Sequence, residues 1–329
     1  MTVPPERRAA ARDAAEQESA FSHPHAEPDV TVSYGRHPDQ VVDLYAPRGG
    51  GGAGAPLVVV LHGGAWRAAY DRRHVSPFAA FLARRGFAVA SVEYRRGGAG
   101  PGVAGRWPET FDDVAAAMDA LPGLVADALP GLVADALPRL VADAMPRTDA
   151  QPWADGLPRA DGLPSVDVSR IVVTGHSAGG HLALWAAARH VLPPGSPWRP
   201  PGPGPSVAGV VALAPIADLR TARELSVCSG AALQLLGGPE RFEERRPSAD
   251  PAALLPTGVP ATVVHGRADI VVPVEVAGAY VRAAAGAGEA VRLRLVEDAG
   301  HFPLIDPAAE ACDVVAEEIT RLLDGPGPR

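Results

Sequence analysis

The run Arg170-Ile-Val-Val-Thr-Gly-His-Ser-Ala-Gly-Gly-His-Leu-Ala183 decides how the chain is read. Arg170 to Thr174 reads as a strand buried on both faces, with β-branched residues from Ile171 onward. Gly175-His176-Ser177-Ala178-Gly179 follows, and an apolar helix opens at Gly179 and runs to Arg189. Strand, G-x-S-x-G and helix in that order are the context of a nucleophile elbow, a sharp turn that exposes the serine hydroxyl above a sheet. The residues two before and two after the serine must be small, because the turn brings their backbones together. The N–H groups that start the helix favour negative charge developing beside Ser177.

Three further loops, each after a strand-like run, extend this pattern. Pro56 to Leu61 leads into His62-Gly63-Gly64-Ala65-Trp66. Acyl transfer puts negative charge on a carbonyl oxygen, and each preorganised backbone donor lowers that barrier by about 3–4 kcal/mol. Gly63, Gly64 and the N–H of Ala178 are the candidate oxyanion donors. Ala261 to Val264 leads into His265-Gly266-Arg267-Ala268-Asp269, and Val291 to Val296 leads to Gly300-His301-Phe302. Ligands collect beyond such strand ends in open parallel sheets. The chain order Ser177, Asp269, His301 is that of a Ser, acid, His triad. His301 would take the Ser177 proton and return it to the leaving group, and Asp269 would orient the imidazole.

Other candidates fit less well. His176 fills a variable elbow position, His181 sits one turn into the helix as packing, and His62 shapes the glycine loop. Glu275 and Asp306 are the rival acids. His23 and His25 fall in a polar lead-in and suggest no site.

Around these loops, strand-like and helix-like segments alternate. A hairpin spans Val30 to Tyr45, turning at Gly35 to Asp39, and Phe87 to Val92 and Val207 to Leu213 read as further strands. Val75 to Arg85, Thr110 to Ala120 and Ala308 to Leu323 read as helices. The expectation is an α/β fold, a mostly parallel central sheet with helices on both faces. Residues 1–28 form a polar, partly helical lead-in, and 29–325 form the domain. A repeat-rich insertion at 121–164 interrupts that domain. There L-P-G-L-V-A-D-A occurs twice and L-P-R-L-V-A-D-A once. Its period is shorter than that of solenoid repeats. A proline at every eighth position argues against one continuous helix, so short helical turns or disorder on the surface are expected.

The bulk numbers exclude several classes. The 329 residues are 47% apolar, enough for a sizeable core, with a net charge of −8. An acidic balance disfavours nucleic acid and anionic membranes as partners. Two cysteines give no disulfide framework. No secretory signal or apolar span is visible, which points to the cytoplasm. No ligand cluster suggests a metal, and the reaction needs no cofactor. Nothing fixes an oligomeric state.

With these residues in hand, the chain resembles α/β-hydrolases of the hormone-sensitive-lipase-like and kynurenine-formamidase-like group. H-G-G-A-W at 62–66 is closer to the formamidase-like H-G-G-x-W than to the lipase H-G-G-G. Y-G-R-H-P-D-Q-V-V-D-L-Y-A-P at 34–47, V-E-Y-R-R at 92–96 and W-P-E-T-F-D-D-V at 107–114 also fit. So do G-H-S-A-G-G-H-L-A at 175–183 and V-P-A-T-V-V-H-G-R-A-D at 259–269. The resemblance implies a serine hydrolase and a partial cap near 219–247. Trp66, Leu219 and Leu225 are therefore candidates for the substrate pocket. It is less specific for substrate, because one fold hosts many functions. The leading expectation is a hydrolase of small carboxylic esters, with an arylformamidase second. A peptidase or acyltransferase on the same triad, and a non-catalytic binder, come after.

Overall fold

In a computed structural model, residues 4–48, 54–98, 106–144, 166–200, 202 and 207–325 are described, without the side chains of 129–144. Eight strands form one sheet: β1 Val30–Ser33, β2 Val41–Tyr45, β3 Ala55–Leu61, β4 Ala88–Val92, β5 Val166–His176, β6 Val207–Leu213, β7 Ala261–Gly266 and β8 Val291–Val296. Their spatial order is β1-β2-β4-β3-β5-β6-β7-β8. β1 and β2 pair antiparallel, as do β2 and β4, and every other pairing is parallel. The helices are α1 Pro5–Ser22, α2 Ser76–Arg84, α3 Glu109–Ala144, α4 Ala178–Ala188, α5 Leu219–Glu224, α6 Val227–Leu235, α7 Pro239–Ala249, α8 Val274–Gly286 and α9 Glu310–Leu323.

The central strands are apolar throughout because both faces are covered. On β3, Leu57, Val59 and Leu61 face one cluster with Phe111 of α3, Trp185 of α4 and Val276 of α8. Val58 and Val60 face the other, with Phe78 and Leu82 of α2 and Val315 and Ile319 of α9. The two-residue period of the strand thus divides one run between two cores. This is the α/β-hydrolase fold, as the sequence pattern implies.

The repeat region departs from its reading. The backbone stays helical from Glu109 to Ala144, through Pro122, Pro130 and Pro138. Its first repeat shows why. Leu121 and Val125, four residues apart, are fully buried in the core on one face of the helix. Burying each contributes about 1.5–3 kcal/mol, which together offset the roughly 3 kcal/mol that Pro122, the first of the three, costs inside the helix. The rest of the expected insertion, 145–164, lies outside the described residues.

Candidate active site

Ser177 stands between β5 and α4 with φ 57° and ψ −115°, a strained conformation for a residue with a side chain. The strain is held by crowding on both sides. A Cβ on Gly179 would lie 2.0 Å from the Leu61 carbonyl and 2.4 Å from that of His62. The elbow is therefore wedged against the end of β3, and the loop after β3 lies beside it. The position a Cβ would take on Gly63 is 3.5 Å from Ser177 Cβ, which sets the expected donor loop next to the serine. Ala178, the third expected donor, is the first residue of α4.

Asp269 and His301 follow β7 and β8. His301 Nδ1 donates to Asp269 Oδ2 at 2.6 Å, and both side chains are buried. The backbone N–H groups of Val271 and Val272 donate to Asp269 Oδ1. Burial works against ionising this carboxyl, but the neighbouring His301 and His265 outweigh it and hold the pKa well below the usual carboxylate range. The carboxylate is thus fixed and charged, suited to orient an imidazole that gains a proton. Ser177 and His301 line the same cavity. The His301 backbone carbonyl accepts a hydrogen bond from His176 Nε2 at 3.0 Å. Burial keeps His176 neutral, its pKa far below the ordinary value, so it holds the His301 loop without adding charge.

The other sequence candidates lie elsewhere. His181 donates to the Ala249 carbonyl at 2.9 Å, and burial lowers its pKa to about 4. His62 packs face to face on Tyr94, one ring nitrogen at the Gly63 carbonyl and the other at Glu93. Asp306 accepts from Ser19 and His23, and Glu275 is exposed on the first turn of α8. Trp66 and Leu219 are fully buried in the core, whereas Leu225 is 47% exposed, and none of the three lines the cavity above Ser177. The positive φ of Ala65 and Trp66 turns the indole inward against His181.

That cavity, about 170 Å³, is lined by residues that the sequence reading did not assign to a pocket: Phe21, Arg67, Tyr70, His74, Cys228 and Phe302. Phe21 comes from α1, whose polar composition gave no sign of it. Arg12 donates to the carbonyl of Ala268, one residue before Asp269, at 2.6 Å. Glu16 accepts from the N–H of Gly300, one residue before His301, at 3.1 Å. The two side chains approach within 3.6 Å of each other. α1 thus ties together the two loops that carry the His–Asp pair. Among the described residues no group of three or more His, Cys, Asp or Glu could hold a metal, and no helix is long and apolar enough to cross a membrane.

Comparison with known proteins agrees with this fold. The chain is similar in structure to esterase B from Lactobacillus rhamnosis, with a TM-score of 0.65 at 18% identity over 97% of this chain and 94% of that one. A carbohydrate esterase from gut microbiota gives 0.62 at 21% identity, over 92% and 100%. The propionate-bound esterase Est2 of Thermogutta terrifontis gives 0.58 at 20% identity, over 91% and 96%. No curated protein matches the sequence. The BD-FAE family profile matches residues 42–122 and 163–282, passing over the repeats. The chain therefore belongs to the BD-FAE family and is an esterase of the α/β-hydrolase superfamily.

Proposed function

We propose that the protein hydrolyses small carboxylic esters through Ser177, His301 and Asp269, by way of an acyl-enzyme. The observation that carries this is the buried, charged Asp269 bonded to His301, in one cavity with a serine on a strained strand-to-helix turn. Ser177 Oγ attacks the ester carbonyl while His301 Nε2 takes its proton. The N–H groups of Gly63, Gly64 and Ala178 receive the oxyanion. His301 passes the proton to the departing alcohol, then draws one from the water that releases the acid. Ser177 Oγ has no hydrogen-bond partner among the described residues, and catalytic contacts of this kind commonly tighten only when substrate binds.

The domain assignment proposed with this is a hydrolase unit over 29–325, preceded by 1–28 and interrupted by the repeat-rich stretch 121–164, whose first repeat packs into the core. The H-G-G-A-W loop favours a second reading, a kynurenine-formamidase-like amide hydrolase. A cavity of about 170 Å³ suits a short acyl ester better than an aromatic formamide with an amino-acid side chain. The deciding assay compares p-nitrophenyl acetate with N-formylkynurenine, using Ser177→Ala and fluorophosphonate labelling as controls. Ester turnover and labelling, both lost in the variant, are expected. Efficient formamide cleavage would make the protein an arylformamidase, and failure to label Ser177 would remove the mechanism.

A further inference from the structure

We propose that Arg67 is an anion subsite in the cavity above Ser177, so that preferred substrates are small esters bearing a carboxylate. This rests on the ester-hydrolase reading above and adds the charge of the substrate to it.

The argument begins with the side chain's partners. Arg67 follows the glycine loop directly and lines the cavity with Ser177 and His301. Its Nη2 donates to the carbonyl of Cys228 at 2.6 Å, which fixes the direction of the guanidinium. Its Nε is enclosed by protein and has no acceptor. A guanidinium presents five donors in a planar fork, and an enclosed donor left without a partner is costly. No Asp or Glu lines the cavity among the described residues. Asp269 is engaged with His301 and two backbone N–H groups and Glu16 Oε1 with Gly300, while Asp13 Oδ1 and Glu16 Oε2 are buried without a partner. Arg67 therefore brings a charge to the lining of the cavity and forms no ion pair among the described residues.

The anchor of Arg67 is unusual in its own right. Ser226, Cys228, Ser229 and Gly230 have φ of 51°, 49°, 57° and 75°. Left-handed backbone at three residues with side chains is strained, and such strain persists at ligand clamps where neighbours over-determine it. Here the strained stretch presents the Cys228 carbonyl to Arg67 and the rest of Cys228 to the cavity. A planar fork held by one bond at the lining of a small cavity matches a carboxylate in shape and charge.

The test measures kcat/KM by pH-stat for two matched pairs: monoethyl succinate against ethyl butyrate, and 4-acetoxybenzoate against its methyl ester. One pair carries the anion on the acyl side and the other on the alcohol side. In the wild-type protein at least one anionic ester should exceed its neutral partner, and Arg67→Met should lower that ratio by about tenfold or more. Arg67→Lys, which keeps the charge and loses the fork, should retain part of the preference. The ratio cancels any general damage from the substitution. Neutral esters cut as well as both anionic ones, or a ratio that Arg67→Met leaves unchanged, would overturn the subsite and leave ester hydrolysis standing. Turnover of none of the four would overturn both.

Discussion

Ser177, Asp269 and His301 stand on turns beyond β5, β7 and β8, whereas the walls of the cavity above them come from scattered places. Phe21 belongs to α1, Arg67 and Tyr70 to the stretch after the glycine loop, and Cys228 to the left-handed start of α6. The turns are fixed by the sheet. Their geometry follows from strand register and from close backbone contacts such as Gly179 against Leu61. The walls are fixed by single side-chain contacts between elements far apart in the chain. Machinery of the first kind should fail completely when altered, and walls of the second kind should only change rate and preference. Substitutions on each side of that divide test it.

The largest effect belongs to the elbow. Ser177→Ala should lower kcat/KM by about 10⁴-fold or more and leave thermal unfolding close to wild type. Substantial residual activity would place the nucleophile elsewhere and dissolve the distinction between turns and walls. The next concerns the support beneath the glycine loop. Glu93 is buried, which opposes its ionisation, but His62, Arg96 and Arg72 hold its pKa down to about 2 from an ordinary 4.5. A depressed carboxyl stabilises the fold fully above 4.5, and that contribution disappears as pH falls toward 2. It amounts to about 3 kcal/mol at neutral pH. Glu93→Gln should lose that amount at pH 7 and flatten the decline of stability between pH 4.5 and 2, as read by urea unfolding across pH. An unchanged acid limb would mean the loop rests on something other than this network.

α1 sits on the divide itself, because it closes the cavity and also grips the loops of the pair. Glu16→Ala releases the Gly300 N–H, and a small displacement of His301 should lower kcat by about tenfold with little change in KM. Glu16→Gln keeps an oxygen acceptor and should recover most of it. A loss that follows the melting temperature alone would make Glu16 structural and nothing more. Phe21 is purely a wall. Its ring meets Phe302 edge-on with centroids 5.5 Å apart, and Phe21→Ala should enlarge the cavity. Longer acyl esters should gain by about threefold relative to acetyl, in a series of p-nitrophenyl esters. An unchanged chain-length profile would show that the acyl group lies elsewhere.

The same divide explains what could be read from the residues. The elbow and the glycine loop carry local signatures, since only small residues fit where backbones nearly touch. Asp269 and His301, the expected acid and base, follow strand-like runs in the expected order along the chain. The unbroken apolar run of β3, divided between two cores, made the sheet legible. α1 was opaque because its contacts with Ala268 and Gly300 span more than 250 residues and use polar side chains that read as solvated. Trp66 and Leu219 were expected at the pocket, but apolarity does not distinguish a lining residue from a core residue. The left-handed stretch at 226–230 contains only one glycine, so nothing local announced it.

The repeats belong to neither side of the comparison, and that yields the smallest expected effect. The family profile passes over 123–162, while α3 continues through the first repeat because Leu121 and Val125 are part of the core. Deleting the whole repeat region would remove that anchor. A cut that keeps the helix through Ala128, which still packs against the core, and rejoins the chain at Leu163 retains every buried contact described for α3. Removing 129–162 should therefore leave kcat/KM within about threefold and stability within about 1 kcal/mol, the range of changes that touch no core or hydrogen-bond network. A larger loss of activity in a folded protein would give the repeats a part in forming the site. Extending the cut back to Leu121 should instead destabilise the protein by several kcal/mol, about 2–5 for each large apolar side chain removed. The contrast between the two deletions locates the boundary between core and insertion.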